Sequence, residues 1–132
     1  MRVAVDFVWR SVGVLRLDAG KLRFPHVTDV PGVYRFDLGD RVYIGEADRM
    51  RRRFAHYRNP GPSQSTNIRL NTVMLELLTG GGPIDVSVVT DATADVDGRT
   101  ARLDLSHKAA RLLVENAALT AERVAGRAVE NL

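Results

Sequence analysis

The sequence lacks several features that would define its chemistry directly. Its 132 residues include no cysteine, so disulfide bonds and thiolate chemistry are excluded. No apolar run approaches the roughly 18 residues that a membrane-spanning helix needs. The first residues also lack the continuous apolar stretch of a signal peptide. We therefore expect a cytoplasmic protein.

Familiar catalytic and phosphate-binding motifs are also missing. The chain has no GxxxxGK[ST] loop and no GxSxG turn. Its three histidines, His26, His56 and His107, do not have the spacing of a zinc site. Gly80-Gly81-Gly82-Pro83 is a helix stop, because no helix pattern follows it at once.

The composition is that of one soluble domain, with 45% hydrophobic and 27% charged residues. A chain of 132 residues is too short for two ordinary domains, so we expect a single domain over 1–132. The net charge is only +3, yet five arginines lie between Arg49 and Arg58 with no acid among them. Such a cluster indicates either a phosphate-binding surface or a solvated helix face.

The hydrophobic pattern predicts an α+β fold with a small, mainly antiparallel sheet flanked by helices. The segment 1–30 forms an N-terminal β-hairpin extension, and 31–131 forms the core. Strands are predicted at 3–9, 12–17, 21–24, 33–37, 41–45 and 84–90. Helices are predicted after Asp48, over 66–79 and over about 99–127, with an exposed loop at 91–98.

Two tyrosines lie on facing strands of the predicted hairpin. The turn at Leu38-Gly39-Asp40 makes the strands of Tyr34 and Tyr43 adjacent, so the two phenols can approach each other. An aromatic residue in a strand usually belongs to the core. The pKa of a phenol is ordinarily about 10. A phenol that acts as a base needs this pKa to be lowered by a neighbouring positive charge.

The helix after the hairpin carries a second pair of candidates. Arg53 and Tyr57 are four residues apart and therefore share one helical face. A guanidinium beside phenols suits a phosphodiester, whose negative charge grows in the transition state. The alternative is that Arg53 is one of several solvated arginines. We expect Arg51 and Arg52 to be solvated or to contact backbone phosphates.

One carboxylate lies near the apolar face of the last predicted helix. Glu115 is three residues after Leu112 and four before Leu119. Acids are seldom buried unless they are paired or bind a metal, and a single carboxylate with water ligands suits Mg²⁺. The alternative is a glutamate at the edge of the face.

Together these residues resemble the signature of the GIY-YIG nuclease superfamily. GVY at 32–34 and YIG at 43–45 resemble its two name-giving halves, and VYIGEADRMRRRFAHY is similar to the stretch that follows YIG in bacterial excision-repair nucleases. LLVENAAL at 112–119 resembles the helix with the family's metal-binding glutamate, and ENL at 130–132 supplies an asparagine. The likeness spans about 31–131 and also extends to restriction and homing endonucleases.

The resemblance implies a stand-alone DNA endonuclease that uses one divalent metal, Mg²⁺ or Mn²⁺, bound by Glu115. Tyr34 is then the general base or orients the attacking water, Tyr43 positions that water or a phosphate oxygen, Arg53 stabilises the transition-state charge, and Tyr57 hydrogen-bonds the phosphate. The remaining residues implied are the supporting Gly32, Gly45 and Asn131 and the DNA-binding Arg49, Arg52, His56 and Arg58.

Some properties stay open at this point. Glu46 departs from the family, which often has a basic or polar residue after YIG, so it is either a second metal contact or the salt-bridge partner of an arginine. Specificity can come from a homodimer or from a protein partner. A non-cleaving nucleic-acid-binding module on the same fold, or a partner-binding subunit, are the alternatives to a nuclease.

Overall fold

A computed structural model of the protein describes residues 1–130 and confirms the α+β class. Its strands are β1 (Val3–Phe7), β2 (Arg10–Asp18), β3 (Lys21–Arg23), β4 (Gly32–Asp37), β5 (Arg41–Ala47), β6 (Ile84–Val89), β7 (Ala92–Val96), β8 (Arg99–Arg102) and β9 (Ala128–Val129). Its helices are α1 (Met50–Arg58), α2 (Ser65–Thr79) and α3 (Lys108–Val124). No helix within 1–130 is long and apolar enough to cross a membrane.

The main sheet has six strands in the order β3-β2-β6-β4-β5-β9. All neighbouring pairs are antiparallel except β5 and β9, which are parallel, so the prediction of a mainly antiparallel sheet is confirmed. The β2–β3 hairpin extends one edge of this sheet, as predicted for the N-terminal segment. β1 does not join this hairpin. It pairs with β7 in a second sheet of order β1-β7-β8.

The alternation of residues along β4 and β5 divides the core into two clusters, one on each face of the main sheet. On one face, Tyr34 and Phe36 pack with residues of α1 and α2 such as Phe54 and Met74. On the other face, strand valines such as Val33 pack with Val114 and Ala118 of α3. The two clusters place α1 and α3 on opposite sides of the β4–β5 hairpin.

Two secondary-structure predictions for the second half are wrong. The segment 91–98 is not a loop but contains β7, which turns into β8 through Asp97 and Gly98. Both turn residues have positive φ, 51° and 85°, as a tight hairpin of the Asp-Gly type requires. This hairpin occupies the chain up to Arg102, so α3 begins at Lys108 rather than near 99.

The buried face of α3 also differs from the predicted one. Leu112 is 37% exposed, although the apolar pattern placed it in the core. The residues that α3 buries are Arg111, Val114 and Ala118, at the i, i+3, i+7 spacing of one helical face. Glu115 lies beside this face.

Candidate active site

The β4–β5 hairpin places Tyr34 directly opposite Gly45. A Cβ atom built on Gly45 would lie 2.6 Å from Cζ of Tyr34, which is closer than any carbon side chain tolerates. Only glycine at this position lets the Tyr34 ring lie across β5 and reach the edge of the sheet. The glycine of YIG therefore has a specific steric role.

Gly32 has a comparable role at the start of β4. A Cβ atom there would lie 2.6 Å from the carbonyl oxygen of Val89 and 3.0 Å from the side chain of Met50. Gly32 thus allows β4 to pack closely against β6 and the first turn of α1. This close packing supports the predicted role of Gly32 as a structural residue of the site.

The three tyrosines form one cluster on the α1 side of the sheet. The Tyr34 ring lies 6.5 Å from that of Tyr43 and 6.0 Å from that of Tyr57, centroid to centroid. The hydroxyl groups of Tyr34 and Tyr57 form a hydrogen bond in the buried interior. Tyr34 and Tyr57 are almost fully buried, whereas Tyr43 is partly exposed. The approach of Tyr34 to Tyr43 agrees with the sequence-based expectation.

The environment of these phenols keeps them protonated at neutral pH. Burial raises the pKa of each phenol above its ordinary value, and for each phenol the charge of one neighbouring tyrosine adds to the rise. The Arg53 charge opposes the rise in all three pKa values, yet it does not overcome burial. In this structure the tyrosines are therefore neutral hydrogen-bonding groups.

Arg53 connects the tyrosine cluster to β5. Its Nη1 donates a hydrogen bond to the backbone oxygen of Glu46 over 3.1 Å. Arg53 is half-buried, and its charge lies near the hydroxyl groups of Tyr34 and Tyr57. Within residues 1–130 no carboxylate forms an ion pair with Arg53. A permanent positive charge therefore remains available to an anionic ligand.

A cavity of about 280 Å³ at the outer edge of β5 brings most of the predicted catalytic residues together. Its lining residues are Tyr34, Tyr43, Ile44, Gly45, Glu46, Arg53, Glu115, Leu119, Arg123, Val129 and Glu130. Within the described chain, β9 pairs only with Arg41 and Val42, so no strand covers the edge of β5 from Tyr43 to Ala47. A larger cavity, about 630 Å³, contains none of the tyrosines and lacks Glu115, so size does not mark the site.

Tyr57 is the predicted catalytic residue that does not line the cavity. Its hydroxyl is engaged with Tyr34, and Asn71 donates a hydrogen bond of 2.7 Å to its backbone oxygen. Tyr57 therefore acts on the cavity through its neighbours Tyr34, Tyr43 and Arg53.

Glu115 reaches the same cavity from α3, on the other face of the sheet. Burial raises the pKa of the Glu115 carboxyl, and the negative charge of Glu46 raises it further. The positive charges of Arg53 and Lys108 act in the opposite direction. Glu115 is thus a carboxylate held in a partly desolvated position beside a second acid.

Glu46 is the salt-bridge partner of an arginine, which was one of the two sequence-based interpretations. Arg111 donates from Nε to Oε2 of Glu46 over 2.6 Å, and both side chains are nearly buried. Nη1 of Arg111 also donates to the backbone oxygens of Leu105 and Ser106, at 3.0 and 3.1 Å. Arg111 therefore ties the start of α3 to β5 and neutralises Glu46.

Arg111 was missed from the sequence because nothing near it in the chain marks it. Glu46 lies 65 residues away, and an arginine in an Ala- and Leu-rich helix is normally a surface residue. The available signal was its i, i+3, i+7 spacing with Val114 and Ala118.

The residues present fit a single hard metal ion bound by one carboxylate. Among residues 1–130 there is no group of three or more His, Cys, Asp or Glu side chains placed to hold a metal. Of the three carboxylates that line the cavity, Glu46 is paired with Arg111 and Glu130 with Arg41, so within residues 1–130 only Glu115 has no ion-pair partner. Mg²⁺ commonly binds through one or two carboxylates and keeps several water ligands.

The four predicted DNA-binding residues divide between the two flanks of α1. Arg49 is bound through its guanidinium to Asp29, at 2.7 and 2.9 Å, and the backbone NH of Arg52 donates to the same carboxylate. His56 lies on the flank of Arg49 and Arg52, beside Arg53, whereas Arg58 lies on the opposite flank. Asn131, the last predicted supporting residue, lies outside the described residues.

Comparisons with known proteins find a fold rather than a family. No protein-family profile matches the chain, and no curated protein matches it. The structure of a bacteriophage T4 EndoII mutant superimposes with a TM-score of 0.58, covering 83% of this chain and 86% of that chain at 16% identity. The likeness shows the fold alone: the chain has the α+β architecture of this neighbour.

Proposed function

We propose that the protein is a DNA endonuclease that hydrolyses phosphodiester bonds with one divalent metal ion, Mg²⁺ or Mn²⁺. The observation that carries the proposal is the convergence of Tyr34, Tyr43, Arg53 and Glu115 on one cavity at the edge of β5. These residues come from β4, β5, α1 and α3, and they are the ones named by the GIY-YIG resemblance. The fold shared with bacteriophage T4 EndoII, whose name marks it as an endonuclease, supports the same conclusion.

Glu115 is the residue that would hold the metal. When bound, the ion supplies positive charge against the scissile phosphate and the leaving oxygen. Arg53 supplies a second positive charge, from the α1 side of the cavity, where the negative charge of the transition state develops. The hydrogen bond from Arg53 to the Glu46 backbone fixes the direction of the guanidinium.

Among the two roles considered for Tyr34, its environment favours orientation of the attacking water over general-base catalysis. The raised pKa keeps the phenol protonated, so its oxygen can accept a hydrogen bond from a water molecule while its own O–H group donates elsewhere. Tyr57 shares a hydrogen bond with Tyr34 and holds its hydroxyl in place. Tyr43, which is partly exposed, is placed to position the water or a phosphate oxygen.

DNA is the proposed partner, with Arg49, Arg52, His56 and Arg58 as contacts to its backbone. A homodimer or a protein partner is a possible source of specificity, in repair, restriction or genome defence. The cavity and the basic residues of α1 are proposed to contact phosphates. Contacts to phosphates position DNA but do not read its base sequence.

The test is a cleavage panel of duplex, single-stranded, branched and modified DNA with Mg²⁺ or Mn²⁺. Glu115→Ala and Arg53→Ala should each lower the cleavage rate by about 10²–10³-fold or more while the fold is retained. Glu76→Ala and Arg69→Ala, at exposed positions on α2, are the matched controls. Full activity of both site variants would overturn the assignment. DNA binding that survives chelation, with no cleavage of any DNA form, would favour the non-cleaving module.

A further inference from the structure

A second cavity of about 450 Å³ lies between β3 and the flank of α1 that faces away from Arg53. We call it the back groove, and its lining residues are Arg23, Phe24, Pro25, His26, Val27, Arg51, Phe54, Ala55 and Arg58. Three of these residues are arginines, one is a histidine, and none is an acid. The back groove therefore combines a concave shape with charge of one sign.

The arginines of the back groove differ from the arginines that this protein pairs with acids. Six arginines form ion pairs with carboxylates, namely Arg35, Arg41, Arg49, Arg102, Arg111 and Arg127. Arg23, Arg51 and Arg58 are exposed, and no carboxylate of residues 1–130 pairs with them. Like charges repel, so their convergence on one groove is unfavourable until an anion binds there.

The base of the groove is aromatic, and its arginines lie on two elements that pack against these rings. Phe24 and Phe54 stack with centroids 5.0 Å apart and an interplanar angle of 25°, and Phe54 is buried. Arg51 and Arg58 are seven residues apart on one helix, which places them about 10 Å apart along its axis. Arg23 stands across from them on β3. The positive charges are thus spread along one side of the groove, at Arg51 and Arg58, and across it, at Arg23. Such an extended arrangement suits a polyanion better than a single small anion.

We propose that the back groove binds the phosphate backbone of DNA through Arg23, Arg51 and Arg58, at a surface separate from the catalytic cavity. The proposal rests on the proposed function for its choice of DNA as the polyanion. Each arginine that neutralises a phosphate releases condensed counterions, so binding through the groove carries a measurable salt dependence. The groove contributes affinity and orientation, while Glu115 and Arg53 lie in the other cavity.

The experiment measures the affinity of a labelled DNA duplex in EDTA by fluorescence anisotropy, as a function of salt between about 50 and 200 mM. The parent protein is the Glu115→Ala variant, so cleavage does not interfere. The groove variant adds Arg23→Ala, Arg51→Ala and Arg58→Ala. The matched control adds Arg2→Ala, Arg69→Ala and Arg99→Ala, three exposed arginines outside both cavities. Melting curves establish that all three proteins are folded.

We expect the slope of log K against log salt to fall by about 2–3 in the groove variant, because about 0.9 counterion is released for each neutralised phosphate. The control variant should change the slope by less than about one unit. Equal slopes for the groove and control variants would overturn the proposal. So would displacement of the duplex by inorganic phosphate well beyond the effect of chloride at equal ionic strength, since that result identifies a site for free phosphate.

Cleavage by the wild-type protein, measured in parallel, separates this proposal from the nuclease assignment. If the wild type cleaves DNA and the groove variant keeps the full salt slope, the back-groove proposal is wrong and the nuclease proposal stands. If the groove variant has a reduced salt slope and the wild type cleaves no DNA with any metal, the back-groove proposal stands and the nuclease proposal is wrong.

Discussion

The two faces of the main sheet bury polar side chains in different ways. On the α1 face, Tyr34 and Tyr57 are neutral phenols that satisfy each other by a hydrogen bond. On the α3 face, the buried polar groups are ion pairs, with Arg111 bound to Glu46 and Arg35 bound to Glu122, both at 2.6 Å. Neutral groups lose little on burial, whereas buried charges need partners.

The two faces meet at the edge of β5, where each contributes to the cavity a charged side chain that forms no ion pair within residues 1–130. Arg53 comes from the α1 face and Glu115 from the α3 face, and both line the cavity. Arg111 of the α3 face pairs with Glu46, whereas no arginine, lysine or histidine within residues 1–130 forms an ion pair with Glu115. Four substitutions test this comparison.

The largest expected effect is on activity, from Tyr34→Phe on the α1 face. This variant keeps the ring over Gly45 but removes the hydroxyl that orients the water, so the single-turnover cleavage rate should fall by about 10²–10⁴-fold. Tyr57→Phe removes a hydroxyl that does not line the cavity, so the rate should fall less, by about tenfold. Equal rates for the two variants would show that the hydroxyl of Tyr34 has no special position in the site.

Breaking an ion pair on the α3 face should have the next largest effect, this time on stability. Arg111→Met leaves Glu46 charged and nearly buried, so urea unfolding should show a loss of about 3–5 kcal/mol. Adding Glu46→Leu to this variant removes the stranded charge and should restore most of the loss. A single variant within about 1 kcal/mol of the wild type would contradict the ion-pair description of this face.

A third variant acts where the two faces meet. Gly45→Ala places a methyl group against the Tyr34 phenol, so we expect a loss of about 1–3 kcal/mol in the free energy of unfolding, together with reduced cleavage. Gly80→Ala is the control, because a Cβ atom there meets nothing closer than 3.5 Å. If both variants unfold at the same denaturant concentration, Gly45 has no steric role.

The smallest effect is a pH dependence that arises from Glu115. Because its pKa is raised on folding, the folded protein binds more protons than the unfolded chain between the unfolded pKa, near about 4.3, and the raised value. Stability from this group therefore falls as the pH rises through that window and stays lower above it. In EDTA, Glu115→Gln should raise the melting temperature at pH about 7 by on the order of a degree or two, with no change at pH about 3.5.

The metal proposal adds a second measurement to the same pair of proteins. Mg²⁺ should raise the melting temperature of the wild type and leave that of Glu115→Gln unchanged. Glu76→Gln, exposed on α2, is the control for a general effect of removing one negative charge. An equal Mg²⁺ response in all three proteins would place the metal elsewhere or nowhere.

Much of the α1 face was predictable from short stretches of sequence. The β4–β5 hairpin, the approach of Tyr34 to Tyr43 and the shared face of Arg53 and Tyr57 all follow from local periodicity and one turn. The errors arose in the second half. There, Asp97-Gly98 is a hairpin turn that was interpreted as part of a loop. The Ala- and Leu-rich stretch after it has high helix propensity, so the predicted helix began near Arg99, whereas α3 begins at Lys108.

By itself, the sequence determined the class of fold and the strand pattern around Tyr34, because these depend on residues close together in the chain. The candidate catalytic side chains, Glu115 among them, came from the resemblance to a known family. Only the tertiary structure decided which distant residues meet. It brought β1 to β7, set Arg111 against Glu46, and left Arg23, Arg51 and Arg58 together without an acid. Such contacts join residues far apart in sequence, where burial and the pairing of charges, rather than periodicity, select the partner.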